Sequence, residues 1–264
     1  MVVLITGISS GFGKAMAERL SAEGHRVYGT YRNLRERIPG VNYLQADVRS
    51  DEDAKNAVQA VLDAEGRIDV FISNAGRGIG GPLEFCSLDA AREQMDTNWM
   101  GMVRFLHYVL PAMRVQRSGK ILCFSSIGGL MGLPFQGLYS ASKFAIEGYC
   151  EALRLEVRSF GIDVILIEPG DFATSFTASR RSVADEKAFA VYTTYRDSLA
   201  SIEKDETGGL KPEYLAAKIA RILRKKRPAY SYVIATFEQR LSVTLKKLLP
   251  QRWFATILSS YYKL

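Results

Sequence analysis

Within its first thirteen residues the chain runs from an apolar stretch, Val2-Val3-Leu4-Ile5, into Thr6-Gly7-Ile8-Ser9-Ser10-Gly11-Phe12-Gly13. The apolar stretch predicts a buried strand over residues 2–6. From Lys14 to Glu23, Ala15, Ala17 and Leu20 recur at helical spacing. Strand, glycine turn and helix in that order form the opening unit of a dinucleotide-binding fold. The first turn of such a helix presents unpaired N–H groups and the positive end of the helix dipole, which suits a pyrophosphate. The spacing here is G-x-x-x-G-x-G rather than the commoner G-x-G-x-x-G.

The same rhythm continues. Strands are predicted at His25 to Tyr31, Val41 to Ala46, Asp69 to Ser73, Lys120 to Phe124, Ile162 to Ile167 and Tyr230 to Ala235. Helices are predicted over 51–65, over 87–114 as two pieces, over 138–160, and from Pro212 to about Lys226. Pro111 should bend or break the second of the two pieces. Alternating strands and helices predict an α/β fold with a doubly wound, Rossmann-type parallel sheet in one domain. Ligands bind such sheets at the C-terminal ends of the strands.

The chemistry-bearing residues fall at those ends. After the second strand comes Thr30-Tyr31-Arg32-Asn33, with a guanidinium and no acid, which favours a 2′-phosphate over bare ribose hydroxyls. Asp47-Val48 follow the third strand, Asn74-Ala75-Gly76 the fourth, Ser125-Ser126 the fifth and Pro169-Gly170 the sixth. Asn98 lies mid-helix, where an asparagine is unfavourable unless its amide is used. Tyr139 and Lys143, four apart, share a helix face, and a cation beside a phenol favours phenolate. A tyrosine working at neutral pH would need to fall about three units from its usual ~10.

In this order and spacing the chain resembles the classical short-chain dehydrogenase/reductase family over about residues 2–235. The gap of thirteen from Ser126 to Tyr139 selects Ser126 over Ser125. The resemblance implies a catalytic set of Ser126, Tyr139, Lys143 and Asn98. Tyr139 would exchange a proton with the substrate oxygen and Ser126 would orient that oxygen. Lys143 would lower the tyrosine pKa and grip the nicotinamide ribose, and Asn98 would hold a relay water. The implied cofactor is NADP(H), held by Thr6, Gly7, Ser9, Ser10, Gly11, Phe12 and Gly13, and by Arg32, Asp47, Val48, Asn74, Ala75 and Gly76. Tyr139, Lys143, Pro169, Gly170, Phe172 and Thr174 would complete its site. Ser73 departs from the second asparagine many members carry.

The apolar loop 128–137 is expected to contribute Met131 and Phe135 to a substrate pocket, beside Ser126 and Tyr139. Residues 171–209 read either as a lid or as a packed insertion. Beyond residue 235 lies a basic amphipathic extension, broken at Pro250. From Lys211 to Leu264 there are twelve Lys/Arg against two Asp/Glu, so the net charge of +7 belongs to this end. The extension resembles members of the hydroxysteroid and retinol dehydrogenase type, which implies a lipophilic alcohol or ketone. A reductase of carrier-bound 3-oxoacyl chains is an alternative, as is a non-catalytic NADP(H) sensor.

The basic tail predicts docking on an anionic membrane, with Trp253 and Phe254 inserted, or on an acidic carrier protein; its leucines could equally complete the core or a subunit contact. A homodimer or tetramer is expected through helices 98–115 and 138–160. Three cysteines without metal-ligand spacing fit buried thiols in a reducing cytoplasm. His25 and His107 read as structural. No metal site, nucleic-acid module, leader or membrane span is expected.

Overall fold

The computed structural model describes residues 1–33 and 36–264. In chain order the elements begin β1 (Val2–Ile5), α1 (Gly11–Ala22), β2 (Arg26–Tyr31), β3 (Val41–Gln45), α2 (Asp51–Glu65), β4 (Val70–Ser73) and β5 (Ile79–Gly80). There follow α3 (Leu88–Met95), α4 (Gly101–Gln116), β6 (Gly119–Phe124), α5 (Gly137–Val157) and β7 (Ile162–Pro169). The chain ends with α6 (Phe176–Ser179), β8 (Arg181–Ser182), α7 (Glu186–Val191), α8 (Tyr195–Thr207), α9 (Pro212–Leu223), β9 (Ser231–Ile234), α10 (Phe237–Leu248) and α11 (Gln251–Tyr261).

Seven strands form one parallel sheet in the order β3-β2-β1-β4-β6-β7-β9. The central strands β1, β4, β6 and β7 are largely apolar on both faces because helices cover both. Side chains alternate between those faces. Leu4, Phe71, Ile121, Cys123, Val164 and Leu166 point into a core closed by α2, α4 and α5. Val3, Ile5, Ile72, Leu122, Ile165 and Ile167 point the other way, against α1 and α9. The switch in strand order between β1 and β4 opens a crevice at the strands' C-terminal ends.

Two expectations change. The 87–114 region is nearly continuous: a π-helical turn over Asp96–Met100 joins α3 to α4. Pro111 remains inside α4 without ending it. It sits on the exposed face, so the carbonyl it leaves unpaired can turn to water. The 171–209 segment is packed insertion and wall at once. Tyr195, Ser198 and Ala188 are buried, and β8 pairs in parallel with β5, while its ends face the crevice.

The last two helices cover the loop after β6. Met131, Val243 and Phe254 make a small third core, joined by Leu130, Leu133, Leu245, Leu249 and Leu258. A capping box built by Thr236 and Gln239 starts α10. No helix among the described residues is long and apolar enough to cross a membrane.

Candidate active site

A cleft of about 620 Å³ runs along the strand ends. One half is built by the glycine turn. Gly7 and Gly11 hold positive φ, 74° and 56°, conformations that glycine adopts without strain. A Cβ on Gly13 would lie 2.0 Å from the Gly7 carbonyl oxygen, so only glycine lets α1 start this close to β1. The Thr6 hydroxyl accepts from the backbone N–H of Asn74 and of Ala75, each at 3.0 Å. Asn74 Nδ2 donates to the Thr6 and Gly7 carbonyls. These bonds lock the turn to the end of β4.

Ser9, Ser10, Gly11, Phe12, Arg32, Asp47, Val48, Asn74, Ala75 and Gly76 all line this half. Arg32 is exposed at its mouth. Asp47 carries an ion pair to Arg49, 2.6 Å, which holds its carboxyl below the usual range. Thr174 reaches over the turn, 3.7 Å from where a Cβ on Gly11 would stand. Helix-terminal N–H groups, hydroxyls and the Arg32 guanidinium, which forms no ion pair among the described residues, are a donor set for phosphates, so the residues fit a phosphate-bearing dinucleotide.

The other half gathers Ser126, Tyr139 and Lys143 with Pro169, Gly170 and Phe172. Ser126 lies two residues past β6 and caps the next turn, its Oγ accepting from Gly128 N at 3.0 Å. Tyr139 and Lys143 rise from the first turns of α5. Lys143 is buried, and Nζ donates to the Phe124 carbonyl at 2.7 Å, lying 5.6 Å from the centre of the Tyr139 ring. Burial pushes the ammonium down to about 8. Burial likewise pushes the Tyr139 phenol up to about 12; the Ser126 hydroxyl opposes this, while Glu206 and Asp171 add to it. The lowering expected from Lys143 does not appear in the chain by itself: desolvation dominates, and the charges of Glu206 and Asp171 add to it.

Comparison with known proteins now bears on this geometry. Residues 1–185 match the family model described as short chain dehydrogenase. The chain is 44% identical over 264 residues to a 3-ketodihydrosphingosine reductase of Bacteroides thetaiotaomicron, covering 99% of this chain and 97% of the relative. It is 38% identical over 252 residues to human 17-beta-hydroxysteroid dehydrogenase type 1, covering 88% and 76%. A solved short-chain dehydrogenase from Streptomyces avermitilis superposes with a TM-score of 0.79 at 27% identity, covering 99% of this chain and 97% of that one. This chain belongs to the short-chain dehydrogenase family.

As a short-chain dehydrogenase it is an oxidoreductase of carbonyl and alcohol groups with a nicotinamide cofactor. Not every expected residue reaches the cleft of this dehydrogenase. Thr6 and Gly13 stand behind its wall, as their packing requires. Asn98 also stands behind it: Oδ1 accepts from Arg77 N at 2.9 Å, and Nδ2 donates to Arg77 O and Ser142 Oγ, each at 3.0 Å. Its amide is thus spent on holding the loop after Gly76.

Met131 is turned away, packed under α10 and α11. Phe135 takes a left-handed φ of 57° and sets its ring against Tyr192 and Tyr195. Leu133 and Gln136 line the cleft in their place. Loop periodicity carried no signal for which side faces inward.

Residues not singled out from the sequence complete the far wall: Asp171, Phe176, Ile202, Asp205, Glu206 and Tyr262. Glu206 pairs with Arg180 and accepts from Thr177 Oγ1 at 2.6 Å. Asp171 accepts from Gln239 Nε2 and is pushed up to about 7 by burial and by Glu206 and Asp205. The Asp171 N–H also donates to Gln239 Oε1, 3.3 Å. The tail therefore contributes directly to the site, through α10 at Asp171 and through Tyr262.

Proposed function

We propose that the protein is an NADP(H)-dependent reductase of lipophilic ketones, reversible toward the alcohol. The observation that carries this reading is Ser126, Tyr139 and Lys143 converging at the inner end of a cleft whose other end offers a glycine turn and Arg32. The bound nicotinamide supplies the hydride. Ser126 orients the substrate oxygen by a hydrogen bond, and Tyr139 gives that oxygen its proton. A phenol held at about 12 is protonated at neutral pH, the state reduction requires. Lys143, near 8, remains mostly cationic and is placed to hold ribose hydroxyls. Asn98 acts through the 74–77 loop it clamps, as a positioning residue.

The lipophilic substrate is supported by Leu133, Phe176 and Ile202 in the cleft lining and by the relatives' names, a 3-ketodihydrosphingosine reductase and a 17-beta-hydroxysteroid dehydrogenase. These favour a free lipid over a carrier-bound acyl chain. The intact triad favours turnover over sensing. Val115, Phe144 and Leu155, exposed on α4 and α5, support subunit pairing through those helices. Three free thiols, two of them buried, agree with a reducing cytoplasm. The outward apolar and basic side chains of α10 and α11 support peripheral contact with an anionic membrane.

The test is a panel of long-chain and polycyclic ketones with NADPH. Turnover is expected, and Tyr139→Phe should abolish it while NADPH still quenches protein fluorescence. Full activity in Tyr139→Phe, or cofactor binding with no ketone reduced, would refute the assignment.

A further inference from the structure

Two buried oxygens beside the reacting pair have no hydrogen-bond partner among the described residues. One is the hydroxyl of Ser125, a residue only 3% exposed; the other is Glu147 Oε1. Buried polar atoms are normally paired, and leaving them unpaired costs stability. Glu147 follows Lys143 by four residues on α5, so the two side chains share one helix face. Ser125 approaches them from the sheet. It follows Phe124, whose carbonyl accepts from Lys143 Nζ at 2.7 Å. A Cβ on Gly129 would meet Ser125 Oγ at 2.4 Å and the Lys143 backbone at 3.1 Å, so the hydroxyl and this turn of α5 close on the same glycine. Ser125 touches the cleft, whereas Glu147 stands outside its lining.

Lys143 is a buried ammonium bonded to a neutral carbonyl, and it forms no ion pair among the described residues. A buried charge without a counter-charge is costly. Glu147 is the carboxylate whose charge is felt at Lys143, ahead of the Cys123 thiol on β6. Burial pushes the Glu147 carboxyl up to about 7; the Ser125 hydroxyl and Lys143 oppose this, while Glu168 on β7 and Glu151 on α5 add to it. Glu168 is faced in turn by Lys247 of α10 and Arg154 of α5.

Resting on the reading that Tyr139 and Lys143 carry the reduction, we propose that Glu147 is a positioning residue: its carboxylate, with Ser125 beside it, is the counter-charge that keeps the Lys143 ammonium charged. Above about pH 7 Glu147 is ionised, and its charge favours the protonated lysine. Lys143 therefore holds its proton, and its grip on the ribose, up to about pH 8. Without that charge, burial strips the proton at lower pH. Well below pH 7 Glu147 is itself protonated, and the lysine needs no counter-charge to stay cationic.

The experiment follows two quantities in the full chain across the acid, neutral and alkaline range. One is NADPH affinity, read by energy transfer from protein to cofactor; the other is kcat/KM for a long-chain ketone. Glu147→Gln should move the alkaline fall of both toward neutrality by about one pH unit, the low end for an opposite charge near a titrating group. It should leave NADPH affinity at mildly acid pH unchanged. Glu147→Asp keeps the charge and should restore most of the shift. In a Lys143→Met background, Glu147→Gln should change the NADPH titration no further. Alkaline limbs that coincide in parent and Glu147→Gln overturn the proposal and leave the reductase reading standing. An equal loss at every pH overturns it too, and makes Glu147 a structural residue of α5. If the parent binds NADPH but reduces no ketone, the reductase reading falls, and the NADPH titration alone decides the role of Glu147.

Discussion

The proposed choice of NADP(H) over NAD(H) turns on Arg32. It stands exposed at the cleft mouth, just after β2, where no acid is present to meet ribose hydroxyls. It is also near enough for its charge to help depress Asp47. Arg32→Ala should raise KM for NADPH by about ten- to a hundredfold, the range for a lost charge-assisted hydrogen bond. KM for NADH should move far less. Steady-state kinetics with both cofactors check this, and equal losses for the two would exclude a 2′-phosphate contact. Tyr139 makes a different point at the same scale. Its position was readable from spacing, but its acidity was not. Burial, with two carboxylates from α8 and the β7–α6 connection, raises its pKa and makes the phenol a weaker acid, and neither is visible in Tyr-x-x-x-Lys.

At the scale of elements, the glycine turn is the joint between β1, α1 and β4. Gly13 has no room for a methyl group, because a Cβ would meet the backbone of Gly7 at 2.0 Å and Asn74 Nδ2 at 2.7 Å. Backbone cannot yield as a flexible side chain can. Gly13→Ala should lower stability by about 1–3 kcal/mol or more, as overpacking does, and weaken cofactor binding. Gly148, on the exposed face of α5, has nothing within 4 Å of its added Cβ. Gly148→Ala should stabilise by roughly 0.5–1 kcal/mol through helix propensity. Urea melts of the two variants should shift in opposite directions, and a stable Gly13→Ala would discredit the packing account. The α3–α4 passage shows what periodicity conceals. Its apolar spacing was legible, but the π-turn that places Asn98 under Arg77 depends on contacts with α5 and the β4 end.

Across the whole molecule, α10 and α11 serve two surfaces at once. Val243, Phe254, Leu245 and Leu258 face inward onto the 127–133 loop. The expected insertion of Phe254 is thereby excluded, since it is buried. Phe237, Leu241 and Leu248 on α10, with Trp253, Ile257 and Tyr261 on α11, are exposed at helical spacing. Arg240, Lys247 and Arg252 are exposed among them. Such a face suits the interface of an anionic bilayer. Full-length protein should float with vesicles rich in phosphatidylglycerol and release as salt rises. Leu248→Glu with Trp253→Glu should abolish flotation and leave the soluble-substrate rate nearly unchanged. Truncation is a poor test, because it would remove Tyr262 and Gln239 from the cleft. No flotation of the parent protein would assign this face to something other than lipid.

What the sequence determined was everything carried by local order. Strand ends, the glycine spacing, Asn74-Ala75-Gly76, Ser126 and Tyr139-x3-Lys143 each depend on a few consecutive residues, and the parallel sheet brings those ends to one crevice. What only the tertiary structure decided was which distant groups share that crevice. Asp171, Glu206 and Tyr262 are separated by tens of residues and carry no common period. They meet because α8 and the end of α11 pack on one wall, with Ser198 Oγ donating to the Tyr262 carbonyl. Side-chain direction in a loop is likewise set by what covers it. Met131 turns toward the tail, where Val243 and Phe254 bury it almost completely and remove its apolar surface from water.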